Sequence, residues 1–273
     1  MATAPPLSSP AREAGIDLWR INLVGLVTIV RKEVHRIARI WVQTIVPPAI
    51  TMTLYFIIFG SLIGQRIGEM GGVPYTTFIA PGLIMMSVIT NSFGNVVSSF
   101  FSGKLQLHLE EMLVSPLSFT TIITGYVIGG VVRGLAVAAL VTVVASFFTD
   151  LSVARPLVTF SVVVLTAMVF SLAGLMNAIF AKNFDDISII PTFFLTPLTY
   201  LGGVFFSISL LSPFWQNVSL ANPILYMVNA FRYGMLGSSD IPIGTAYAII
   251  LTALVALYVT VLVLLRRGTG IRS

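Results

Sequence analysis

The sequence predicts an all-α integral membrane protein. It should have six transmembrane helices, an amphipathic interfacial helix ahead of the first span, a short amphipathic helix between the second and third, and a re-entrant helical hairpin before the last. Three observations carry that prediction. Hydrophobic residues make up 56% of the chain and charged residues only 9%, where soluble domains run at about 45–50% apolar and about 25% charged. The apolar residues come in continuous runs, not in the alternating apolar and polar segments of a membrane barrel. The remaining charges gather at the edges of those runs. There is no cysteine, so no disulfide braces the fold.

Residues 1–15 are rich in Pro, Ser and Ala and lack the basic region and apolar core of a signal peptide. They are expected to form a disordered cytoplasmic tail. Over residues 16–41, Trp19, Leu23, Leu26, Val30, Val34, Ile37 and Trp41 recur in steps of three and four along one helical face. Arg20, Arg31, Lys32, Arg36 and Arg39 crowd the rest. The uncharged stretch is too short to span, so this helix should lie in the cytoplasmic headgroup layer. The transmembrane domain then occupies residues 42–273.

The first span is expected at about 42–63, where Pro47 and Pro48 remove two donors and impose a kink or a late helix start. The second, about 77–101, carries Asn91 and Asn95 one turn apart, either on a shared polar path or as interhelical hydrogen-bonding residues. In the loop 102–120, Lys104, Glu110 and Glu111 cannot sit in lipid, yet Leu105, Leu109, Met112 and Leu113 form an apolar helical stripe. A short helix docked on another surface satisfies both.

The third span, about 121–148, opens with Gly125, Gly129, Gly130 and Gly134, small residues that let helix backbones approach closely. Arg133 is expected two or three turns in from the cytoplasmic end. It either snorkels to the headgroups or binds an anionic one, joining Asn91 and Asn95 on a candidate substrate path. The fourth span, about 156–181, leads to Asp185 and Asp186, an adjacent pair that makes a poor metal site. A fifth span is expected at about 188–206 and a re-entrant region at 207–237, because Pro191, Pro197, Gly202, Gly203, Pro213 and Pro223 interrupt the apolar run every few residues. Such backbone is tolerated at membrane depth only where protein or a water-filled cavity covers it. The last span, about 245–265, is stopped by Arg266 and Arg267.

Orientation follows from the basic residues. With both termini cytoplasmic, only Arg66, Arg155 and Arg232 fall outside. Arg12, Arg20, Arg31, Lys32, Arg36, Arg39, Lys104, Lys182, Arg266, Arg267 and Arg272 fall inside. The formal charge of +5 therefore marks membrane edges and not a nucleic-acid groove. No Gly-x-x-x-x-Gly-Lys-Ser/Thr loop is present to wrap nucleotide phosphates, and no His-Glu-x-x-His or Gly-x-Ser-x-Gly is found. The chain is not expected to be an enzyme or to hold a metal or cofactor.

Leu195, Leu198, Leu201, Gly202, Val204, Leu211, Ser212, Pro223, Ile224, Tyr226 and Arg232 fall at the spacings of a known signature. In these residues, and in its length and topology, the chain resembles the ABC-2 type transporter permeases. The resemblance implies a homodimeric transmembrane subunit served by two copies of a separate cytoplasmic ATPase, which would bind Mg-ATP. The substrate moved outward across a bacterial inner membrane would be a lipid, a lipid-linked glycan or a hydrophobic drug. The resemblance also implies that the 102–120 loop holds a coupling helix, with Lys104, Glu110, Glu111, Ser115 and Pro116 as the ATPase contact. The rival reading is an ion-coupled secondary transporter of a hydrophobic compound. Such transporters place ionisable groups near the midplane, and none of the six expected spans contains Asp or Glu.

Overall fold

The computed structural model describes residues 17–270, so the expected tail at 1–15, with Arg12, and the terminal Arg272 lie outside the described residues. The chain opens with α1 (Leu18–Arg39), capped by Asp17, whose carboxylate accepts the Trp19 amide at 3.0 Å. After a break at Ile40 comes α2 (Trp41–Ile67), then a tight hairpin pairing Glu69–Met70 with Val73–Pro74. Next are α3 (Tyr75–Leu105), the short α4 (His108–Val114), α5 (Phe119–Ser146) and α6 (Pro156–Phe180). The chain continues as α7 (Phe184–Ile190), a π-helical turn over Pro191–Leu195, α8 (Thr196–Leu201), α9 (Pro213–Leu220), α10 (Pro223–Leu236) and α11 (Ile243–Arg267).

Among the described residues, five helices are long and apolar enough to cross a membrane: α2, α3, α5, α6 and α11. The stretch expected as the fifth span is helical over 184–201 in three consecutive pieces and is not among those five. Its prolines explain the division. Pro191 begins the π turn and Pro197 falls in the first turn of α8, where each lacks the amide that a regular helix would use. Pro47 and Pro48 act differently from the expected late start, because α2 begins at Trp41 and runs through both. A π-helical stretch over Phe56–Ile63 lies further along the same helix.

Helix α3 lies at the centre, packed against α5, α6 and α10. Of its most apolar stretch 78% is buried, against 17% for α2 and for α11. A central helix can carry Ser87, Ser92, Asn95 and Ser99 because protein and not lipid surrounds them. Each end of the bundle is tied across. At one end Lys104 Nζ donates to the carbonyls of Ile179 and Ala181 at 2.9 and 2.8 Å, satisfying the last turn of α6. At the other, Thr77 and Thr149 share a hydrogen bond of 2.6 Å, and the amides of Ala154 and Arg155 donate to Met235 and Gly234. Local caps fix the joints, with Ser118 at the start of α5, an Asn183–Asp186 capping box on α7, and Asn222 ahead of Pro223 on α10.

Candidate functional site

The Lys104 end holds a docked unit built from α1, α4 and the start of α5. Helix α4 buries Leu109 and half-buries Met112 and Leu113 while Glu110 and Glu111 stay exposed. Leu105, expected on the same stripe, faces out. Leu107 launches α4 from the left-handed region at φ 61°, alone among described non-glycine residues, at a cost of about 1–2 kcal/mol. Ser115 closes the helix and donates to the Met112 carbonyl at 2.6 Å, with Pro116 exposed beyond it. The two exposed carboxylates thus stand on an element held to the bundle by its apolar side.

Helix α1 grips the far end of this loop. Asn22 Oδ1 accepts the Ser118 amide at 2.8 Å and the Thr121 hydroxyl at 2.7 Å, and Leu117 lies against Gly25. One turn further along α1, Ile29 packs on Gly125, where an added Cβ would sit 2.6 Å from Ile29 Cγ2. Glu33 packs on Gly129 in the same way, at 2.8 Å from its Cβ. The expected close approach therefore has two sides, with Gly125 and Gly129 receiving α1. Gly130 and Gly134 meet Ser171 of α6 and Ser92 of α3.

Glu33 is fully buried. It accepts from Ser99 Oγ and from Arg36 Nη2, the latter at 3.1 Å. Arg36 Nη2 also donates to the Asn95 side chain at 2.8 Å and backbone carbonyl at 3.0 Å. This cluster was not visible in the sequence, where Arg36 is one of five basic residues beside the apolar stripe and nothing singles out Glu33. The helix has two functional faces. The stripe of Trp19, Leu23, Val34 and Trp41 is exposed, while Asn22, Ile29, Glu33 and Ile37, spaced by about two turns and then by four, face protein.

Asn91 and Asn95, one turn apart, serve different neighbours. Asn95 is buried against Arg36, whereas Asn91 borders a cavity that Arg133 also lines. Arg133 lies near the midpoint of the 28-residue α5, deeper than two or three turns from its end.

The signature residues form a brace at the opposite end. Gly202 admits the Ile224 side chain, and Gly203, at φ 73°, turns the chain away from α8. The Gly203 carbonyl accepts from Arg232 Nη2 at 2.7 Å. The Arg232 guanidinium lies 4.0 Å from the centre of the Phe78 ring and is 2% exposed, so it is buried and not on an outer face. Pro223 starts α10, and Tyr226 donates to the Leu220 carbonyl at 2.8 Å. Asp240 accepts from Ser207 Oγ at 2.8 Å and closes the same loop. Asp186 accepts the Lys182 and Asn183 amides, and among the described residues no group of metal-ligating side chains is found.

A bundle of apolar helices around a polar-bearing central helix, with a docked amphipathic unit at one end and a broken-helix brace at the other, has the architecture of a polytopic membrane protein. Residues 25–236 match the family model described as ABC-2 type transporter, and the chain belongs to that family. It is 58% identical over 256 residues to the inner membrane transport permease YadH of Escherichia coli K12, covering 94% of this chain and 100% of that protein. It is also 25% identical over 219 residues to nodulation protein J of Neorhizobium galegae, covering 79% of this chain and 83% of that protein.

Proposed function

We propose that this permease is the transmembrane subunit of an ATP-driven exporter that moves an amphiphilic substrate outward across a bacterial inner membrane. Two copies of the chain would work with two copies of a cytoplasmic ATPase that binds the Mg-ATP. Both termini lie on the cytoplasmic side in this reading, 184–201 completes a sixth span, and α9 and α10 form the re-entrant hairpin. The observation that carries it is α4, an exposed acidic helix tied through Leu117, Ser118 and Thr121 to α1, and through α1 to the centre of the bundle. A push on Glu110 and Glu111 would pass through the short 115–118 link, held by Asn22, to α1 and so to Asn95. Charged residues at such a rim steer and register a partner.

Purification of tagged, full-length chain from its native membrane tests this reading. ATPase activity should co-purify with the native chain and fall at least tenfold with Glu110→Lys and Glu111→Lys together. Both side chains are exposed, so the fold has no reason to change. Retention of the ATPase by that variant would remove α4 from the contact.

Buried Glu33 gives the ion-coupled rival a specific group to use, since a proton-coupled carrier needs an acid inside the bundle. Its oxygens are already engaged by Ser99 and Arg36, which favours a structural role. Uptake by the reconstituted chain alone, driven by a proton gradient without ATP, would reverse that preference.

A further inference from the structure

Arg133 sits about 20 Å from either end of α5, at 1.5 Å per residue. It borders an open cavity of about 370 Å³ lined by residues of α2 and α3. Arg133 Nε is buried with no hydrogen-bond partner among the described residues. No carboxylate among them lies within 4.0 Å of the guanidinium.

A positive charge buried in a bilayer without a counter-ion is costly, and the cavity is built to receive one. Gln43 and Thr51 of α2 and Ser87, Thr90 and Asn91 of α3 complete a polar lining without any acid. Ser87 and Thr90 return their hydroxyl protons to the carbonyls of Leu83 and Met86. Asn91 returns an amide proton to Ser87. Arg133 thus brings the charged donors to a cavity whose lining also includes Gln43 and Thr51. An oxyanion is the ligand that such donors take. Pro47, Pro48, Met52 and Met86 give the same cavity an apolar side, and only 17% of the most apolar stretch of α2 is buried. Apolar surface beside the charged donor suits an oxyanion attached to a hydrophobic tail.

We propose that this cavity binds the phosphate or carboxylate headgroup of an anionic amphiphile, with Arg133 as its counter-ion. The proposal deepens the transport reading by naming its substrate class. Its test involves neither ATP nor transport, so the two can fail separately.

Calorimetric titration of the full-length chain in zwitterionic-lipid nanodiscs with dodecyl phosphate should show saturable binding. Arg133→Gln should weaken it at least tenfold. Thr51→Phe, an exposed position at the rim, should do the same by filling the cavity while leaving Arg133 in place. It carries the test if Arg133→Gln fails to fold. Binding within tenfold of native in either folded variant overturns the proposal, as does absence of binding to the native chain. Equal affinity for neutral dodecyl maltoside would remove the anion requirement. Equal affinity for inorganic phosphate would remove the tail and leave a site for a free anion, which also overturns it.

Discussion

At the residue scale, the Glu33–Arg36–Asn95 cluster is the contact between α1 and the core of the bundle. Removing one member of a buried ion pair leaves its partner uncompensated, at a cost of about 3–5 kcal/mol. Arg36 keeps its two bonds to Asn95 and is 20% exposed, which puts Glu33→Gln at the lower end, about 3 kcal/mol. In thermal unfolding of the purified chain, Glu33→Gln should lower the transition, and the double variant with Arg36→Gln should cost less than the two single variants summed. Strict additivity would mean that the two side chains do not interact. No local pattern announces this pair, because a charge on an amphipathic helix is counted as solvated unless a receiving surface is known. Arg232 was legible as a signature position, but its burial against Phe78 and Gly203 depends on a chain reversal of 29 residues that no local pattern encodes.

At the scale of elements, the docking of α1 on α5 depends on what the glycines leave empty. Gly129→Ala should force Glu33 out of contact and destabilise the chain by about 1–3 kcal/mol. Gly94 has open space around its Cβ position, so Gly94→Ala should be neutral or stabilising by up to about 1 kcal/mol. Thermal unfolding of both variants checks the difference. Equal effects would show that helix propensity and not helix contact governs. The stripe of glycines was readable because small residues spaced by four have few other uses in a span. The identity of the partner was not, since spacing marks a close approach without naming what approaches. Likewise the prolines of the 191–223 region announced broken helix. Whether a break becomes a π turn, as at Pro191–Leu195, or an ordinary helix running through, as at Pro47 and Pro48, is decided by packing.

At the scale of the whole molecule, composition and run length fixed the all-helical membrane class. Five of the expected spans coincide with helices long and apolar enough to cross. The stretch at 184–201 stands apart because Asp185, Asp186 and two prolines dilute it. The account depends on one arrangement, with α4 facing the cytoplasm where an ATPase can reach it. The chain has no cysteine, so a single Glu110→Cys substitution gives a clean site for a membrane-impermeant maleimide. The account predicts labelling in inverted inner-membrane vesicles and none in intact spheroplasts. Labelling of intact spheroplasts would place α4 outside and contradict both the orientation and the source of force.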